Sequence, residues 1–131
     1  MYDIDNYNKI EIQEFKNIAY FEYADKGRSK IKIPDAMVNF LKLDYRQALY
    51  PIIRRNKDTG LLTIFINFKQ SSVFKNNPVY LLEQNHLYIK NNERIQLTTY
   101  RPFEISVIYY EGINTYALKL QELKEIRTKE K

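Results

Sequence analysis

The stretch GRSKIKIPDAMVNFLKL, residues 27–43, is the part of the sequence from which the fold can be worked out. After the glycine turn, polar and apolar side chains alternate. This places Ile31 and Ile33 on one face of an extended segment, and Lys30 and Lys32 on the other. The pattern predicts a half-buried strand whose outer face is basic.

A proline follows this strand and a short helix is expected next. Residues 35–43 place Met37, Phe40 and Leu41 at the i, i+3, i+4 spacing of an amphipathic helix. Pro34 cannot continue the strand ladder and is well placed to precede a helix. We therefore expect one short helix with these three side chains buried.

The segments on either side of this core read as strands. An aromatic strand is expected at residues 18–23, a strand carrying a proline at 48–53, a basic turn at 54–60 and the clearest strand at 61–69. After residue 78 five more strands are expected, at 79–82, 86–90, 94–98, 105–110 and 116–120. The predicted fold class is mainly β with one short helix, in which a small barrel-like N-terminal part is followed by a β-rich C-terminal part. The corresponding domains are residues 1–75 and 76–131.

Composition removes several classes of chemistry. The chain of 131 residues has no cysteine and a single histidine, His86. Disulfides and thiolate metal sites therefore do not arise, and the single histidine leaves no partner for a histidine-based metal site. We expect no Ser-His-Asp triad either. We expect no enzyme, no metal and no cofactor. The N-terminus shows no signal-peptide pattern and no long apolar run follows, so a cytoplasmic protein without a membrane partner is expected.

Positive charge is concentrated in the middle of the chain. The net charge is −3 over residues 1–23, +7 over 24–75 and +1 over 76–131, for a total of +5. Phosphate binding requires long cationic side chains clustered on one face. The candidate nucleic-acid-binding residues are Lys26, Arg28, Lys30, Lys32, Arg54, Arg55 and Lys57.

Residues 18–69 resemble the AbrB/SpoVT-type swapped-hairpin DNA-binding domains. The resemblance rests on Gly27-Arg28, on Ile33-Pro34 before the short helix, and on the Leu-Lys-Leu sequence that ends at residue 43. It implies a homodimer in which two chains interleave their hairpins into one barrel, duplex DNA as the partner, and a role in transcription regulation. Arg28 is the basic residue that the family motif places at the DNA.

Two other functions are open at this point. The chain is rich in Asn, Lys, Ile and Tyr, which is typical of products of AT-rich genomes such as those of phages and plasmids. An antitoxin or inhibitor from a mobile element would bind a protein partner through residues 76–131. Alternatively, a small β-barrel would bind RNA or single strands by stacking bases on tyrosines, for which the candidates are Tyr88, Tyr100, Tyr109 and Tyr110.

Overall fold

The computed structural model describes residues 4–69, 78–91, 95, 97 and 101–124. Within these ranges the chain forms nine strands and one α-helix, together with short 3-10 turns at Ile4–Asn6 and Glu83–Asn85. The elements are β1 (Lys9–Tyr20), β2 (Glu22–Tyr23), β3 (Arg28–Lys32), α1 (Asp35–Leu41), β4 (Ala48–Arg55), β5 (Leu62–Asn67), β6 (Val79–Leu82), β7 (His86–Lys90), β8 (Pro102–Tyr110) and β9 (Thr115–Glu122). The prediction of a mainly β fold with one short helix is confirmed.

The described strands form one antiparallel sheet in the order β1-β8-β9-β5-β4-β6-β7-β3-β2, which curls into a nearly closed barrel. Strand β4 joins two halves of this sheet, β1-β8-β9-β5 on one side and β6-β7-β3-β2 on the other. It pairs with β5 along most of its length and with β6 through Ala48 and Leu49. Strands from both predicted domains alternate in this sheet. The division at residue 75 therefore does not correspond to a division of the sheet.

The barrel closes at a sharp bend in the chain. Strands β1 and β2 lie at opposite ends of the strand order, yet only Phe21 separates them along the chain. The Phe21 side chain has no solvent exposure and meets the ring of Phe103 edge-on, with 5.0 Å between ring centroids. This aromatic pair fixes the point at which the two ends of the sheet approach each other.

Alternating burial along the strands produces one main core. On β3, Ser29 and Ile31 face inward together with Ile33 just beyond the strand, whereas Lys32 is exposed, as the sequence pattern predicted. The same alternation on β7 buries Leu87 and Ile89. The basic face of β3 is therefore an outer face of the barrel.

The helix has the predicted position but buries a different set of side chains. Met37 and Val38 are buried and Leu41 is half-buried, whereas Phe40 is 41% exposed. The prediction that Phe40 belongs to the buried stripe was wrong. The helix has only seven residues and ends where Lys42 adopts a left-handed conformation, so its position on the barrel, rather than the 3.6-residue period, decides which side chains are covered.

Phe40 still makes ring contacts at the surface. Its centroid lies 4.7 Å from that of Phe15 and 5.3 Å from that of Tyr116. We expect Phe40→Ala to lower the free energy of unfolding by about 1–3 kcal/mol, since two aromatic contacts of about 0.5–1.5 kcal/mol each are lost. Urea denaturation measures this change. A loss of about 4 kcal/mol, typical of a fully buried phenylalanine, would contradict the exposed position.

Most of the predicted strands occur close to their expected positions. Strands β6 and β7 have the predicted bounds, and β8 and β9 extend the predicted ones at their ends. Strand β1 is the largest difference, because it begins at Lys9 and is interrupted by a register shift between Ile12 and Lys16. The strand predicted at 94–98 lies mostly outside the described residues.

Candidate nucleic-acid interface

Three neighbouring strands present basic and aromatic side chains on one outer face. In the cross-strand row through the middle of this face, Lys30 on β3 lies opposite Tyr88 on β7, and Tyr88 lies opposite Tyr80 on β6. On either side of this row, Arg28 lies opposite Lys90, and Lys32 lies opposite His86. We call the group the basic–aromatic face; it consists of Arg28, Lys30, Lys32, Tyr80, Tyr88 and Lys90.

The guanidinium of Arg28 is held in a fixed position on this face. It lies 4.7 Å from the ring centroid of Tyr88, within the range of a cation–π contact. Its Nε and Nη2 atoms donate hydrogen bonds of 3.1 and 2.7 Å to one carboxylate oxygen of Asp25. Two contacts therefore orient a planar cation over an aromatic ring before any ligand arrives.

The lysines of the face have no partners of their own within the described part of the chain. No described residue forms a hydrogen bond or an ion pair with the ammonium groups of Lys30, Lys32 or Lys90. Glu22 on β2 continues the row beyond Lys30 but forms no ion pair with it. The face consequently combines positive charge that has no partner among the described residues with the ring of Tyr80, which is 43% exposed.

The second predicted group of cations lies elsewhere and has structural partners. Arg54 donates two hydrogen bonds of 2.8 Å to the carboxylate of Asp5, which ties the N-terminal segment to β4. The hydrogen bond from Arg54 lowers the pKa of Asp5 below its ordinary value. Arg55 donates to the carbonyl oxygen of Gly60 across the β4–β5 turn.

The structure therefore does not bring the seven predicted residues onto one face. Arg54 and Arg55 pair with β5, in the half of the sheet that does not contain β3. Lys57 is exposed in the turn beyond them, and Lys26 is exposed in the turn before β3. Of the predicted set, Arg28, Lys30 and Lys32 belong to the basic–aromatic face.

The tyrosines predicted to stack on bases have different environments. Tyr88 is half-buried on the face, whereas Tyr110 is fully buried and donates a 2.8 Å hydrogen bond to Asn67. Tyr109 packs on Tyr116 and donates to Asn114, and Tyr100 lies outside the described residues. Of these four, the structure places Tyr88 on the basic–aromatic face.

Sequence reasoning missed two members of the face. Tyr80 and Lys90 alternate with buried neighbours, Val79 and Leu81 in one case and Ile89 in the other. This period-two pattern could have assigned both residues to an outer face. It could not have shown that β7 lies between β3 and β6, which is what brings them beside Lys30.

His86 makes a local contact with the turn that precedes its strand. Its Nδ1 lies 3.2 Å from the carbonyl oxygen of Glu83 in the preceding turn. The described residues contain no group of three or more histidine, aspartate or glutamate side chains arranged to hold a metal ion. The expectation of a protein without catalytic activity stays a prediction.

Comparison of the chain with protein-family models, with curated proteins and with solved structures finds no match. The resemblance to swapped-hairpin DNA-binding domains and the homodimer it implies stay predictions. In the described part of the chain, no helix has the length and the apolar character needed to cross a membrane.

Proposed function

We propose that this protein binds single-stranded nucleic acid on the basic–aromatic face and has no catalytic role. The observation that carries the proposal is the row in which Tyr88 lies between Lys30 and Tyr80, with the guanidinium of Arg28 over its ring. Proteins that bind single strands combine cations along the backbone with rings on which bases stack. The three lysines, which pair with no described residue, supply the cations, and Tyr80 and Tyr88 supply the rings.

The exposed ring of Tyr80 favours a single strand over the duplex that the family resemblance implies. In a duplex the bases are stacked on one another, so their faces are not accessible to side chains on a sheet. A single strand can turn its bases towards Tyr80, since an aromatic ring accepts a stacked base. Phosphates would then lie near Lys30, Lys32 and Lys90.

A comparison of single-stranded DNA, single-stranded RNA and duplex DNA of equal length tests this proposal. Fluorescence anisotropy at several salt concentrations should show tighter binding to the single strands. Tyr80→Ala should weaken that binding by about 1–3 kcal/mol, which is the contribution of one stacked base. Tyr45→Ala provides the control, because Tyr45 is exposed but lies outside the face. Tighter binding to the duplex would support the family resemblance and contradict the single-strand proposal.

A protein partner is a second candidate, favoured by exposed apolar side chains on β1. This strand pairs with β8 and stands at one end of the strand order. Ile18 and Tyr20 are each 48% exposed on it. Exposed apolar side chains that lie close together are suited to contact with another protein. A second copy of this chain would give a homodimer through β1.

Ile18→Lys tests this surface of β1. If two copies associate through β1, sedimentation equilibrium at micromolar concentration should show a dimer for the natural chain and a monomer for the variant, because a buried lysine without a partner strongly opposes association. Ile18 is half exposed in the isolated chain, so the variant should fold normally. A natural chain that is monomeric would contradict this surface as a dimer interface.

A further inference from the structure

A cleft of about 530 Å³ adjoins the basic–aromatic face. It lies between β4 and β7, beyond the end of β6. Strand β4 continues to Arg55, whereas β6 begins at Val79 and pairs with β4 only through Ala48 and Leu49. Pro51 and Ile53 of β4 contribute to its lining from one side, and Tyr88 and Lys90 of β7 contribute from the other. Its volume is within the range of about 300–1,000 Å³ that is usual for small-molecule sites.

The residues that line the cleft suit a ligand that combines a flat ring with a negatively charged group. Apolar side chains such as Ile53 and Val79 combine with the rings of Tyr80 and Tyr88, which suits a flat, weakly polar group. Two cations, Arg28 and Lys90, also line the cleft, and none of its described lining residues carries a carboxylate. A planar guanidinium is well suited to phosphate recognition.

Hydrogen bonds from Asn91 hold the two residues that flank Arg28 in the chain. The backbone amide of Asn91 donates to the carbonyl oxygen of Gly27 at 2.8 Å, and its side-chain amide donates to the hydroxyl of the buried Ser29 at 2.9 Å. Asp25 orients the guanidinium of Arg28, and no described residue accepts a hydrogen bond from its Nη1. A ligand phosphate would therefore meet a cation whose position is already fixed.

From these observations we propose that the cleft binds one nucleoside monophosphate unit, with its base against the tyrosine rings and its phosphate at Arg28 and Lys90. The inference rests on the proposed function in one respect, since the unit can be the phosphorylated end of a strand that crosses the basic–aromatic face. A free nucleotide offers the same chemistry. The two sources are separated by the arms of the experiment.

The cleft is first tested with mononucleotides alone. Isothermal titration calorimetry of the full chain with adenosine 5′-monophosphate should show binding, and adenosine without phosphate should bind about tenfold more weakly, because the charge-assisted hydrogen bonds are lost. Ile53→Trp fills the cleft and should abolish the binding. Tyr45→Trp is the matched control, since it adds the same indole at an exposed position outside the cleft. Melting temperatures establish that both variants fold. If Ile53→Trp does not fold, Lys90→Gln, an exposed substitution, should still weaken binding severalfold.

The source of the nucleotide is tested with oligonucleotides of about ten nucleotides, a length within the usual binding-site size of a small barrel. A 5′-phosphorylated, a 3′-phosphorylated, an unphosphorylated and a circular oligodeoxyadenylate are compared by anisotropy. Tighter binding of one phosphorylated end than of the circle, lost in Ile53→Trp, assigns the cleft to strand ends. Binding of adenosine 5′-monophosphate without any preference for an end assigns it to free nucleotides. The absence of both effects overturns the inference.

The two proposals can fail separately. One outcome is that the circle binds, the mononucleotide does not bind, and no phosphorylated end binds more tightly than the circle. In that case the face functions as proposed and the cleft does not. If the mononucleotide binds and no oligonucleotide does, the cleft stands and the proposed strand-binding function is contradicted.

Discussion

Replacing Lys30, Lys32 and Lys90 together by glutamate is expected to lower the affinity for single-stranded nucleic acid by about 100-fold or more at low salt, because three phosphate contacts become repulsive. The dependence of the binding constant on salt concentration should weaken as well. Each phosphate contact on a single strand contributes about 0.7 to the slope of log K against log salt, so the loss of three should reduce that slope by about 2. Anisotropy titrations at several salt concentrations measure both quantities.

The fold should survive this triple substitution. Lys30 is partly exposed and Lys32 and Lys90 are exposed, all three on the outer side of their strands, and no described residue forms an ion pair with them. Arg28 is left in place because its contacts with Asp25 and Tyr88 also hold the turn before β3. A melting curve close to that of the natural chain would confirm that only the surface has changed.

A matched control separates the position of the charge from its amount. Lys42, Lys57 and Lys124 are also exposed and lie outside the basic–aromatic face, so their replacement by glutamate changes the net charge equally. We expect this control to lose much less affinity. Equal losses in the two variants would mean that binding follows total charge and that the face is an ordinary solvated surface.

Local pattern was sufficient to predict the burial along β3 and the bounds of β6 and β7. The alternation at residues 29–33 predicted both the buried isoleucines and the exposed lysine that the structure shows. The bounds of β6 and β7 also followed from short apolar runs flanked by turn residues. These features depend on a two-residue period, which each strand carries in its own sequence.

The candidate site required information that no single strand contains. Charge counted along the chain joined Arg54 and Arg55 to the lysines of β3, because all of them lie in one basic segment. In the fold, Asp5 comes from the distant N-terminus to pair with Arg54, and β7 comes from the nearly neutral C-terminal part to lie beside β3. Strand order is set by long-range pairing, so neither neighbour could be deduced from sequence spacing.

The missed part of β1 has a physical cause as well. Its sequence at residues 9–17 mixes apolar with acidic and basic side chains, and a bulge between Ile12 and Lys16 interrupts the alternation. Residues 13–15 lie between the partners of the adjacent Val107 and Ser106, so the side chains that face the core shift and a simple period-two search fails across this stretch. The ion pair of Lys16 with Glu11, which lowers the pKa of that carboxyl, bridges this irregular stretch from the outside.

Phe21→Ala is expected to lower the free energy of unfolding by about 3–5 kcal/mol, the usual cost of deleting a fully buried phenylalanine ring. Phe21 is completely buried and packs edge-on against Phe103, at the one-residue bend that joins β1 to β2. Because β1 and β2 are the two ends of the strand order, the cavity would form at the point where the barrel closes. Urea denaturation of the variant measures the loss.

Phe40→Ala is the matched control for this prediction, because it deletes the same ring from a site that is 41% exposed. If closure of the barrel depends on Phe21, its replacement should cost clearly more than that of Phe40, and amide hydrogen exchange should accelerate in β1, β2 and β3 ahead of β5 and β9. Strands β9 and β5 are third and fourth in the strand order counted from β1, so they lie inside the sheet and not at the ends that close. Equal losses for the two variants, with exchange accelerated evenly across the sheet, would contradict the role of Phe21, since the barrel would then be held closed by the sheet as a whole.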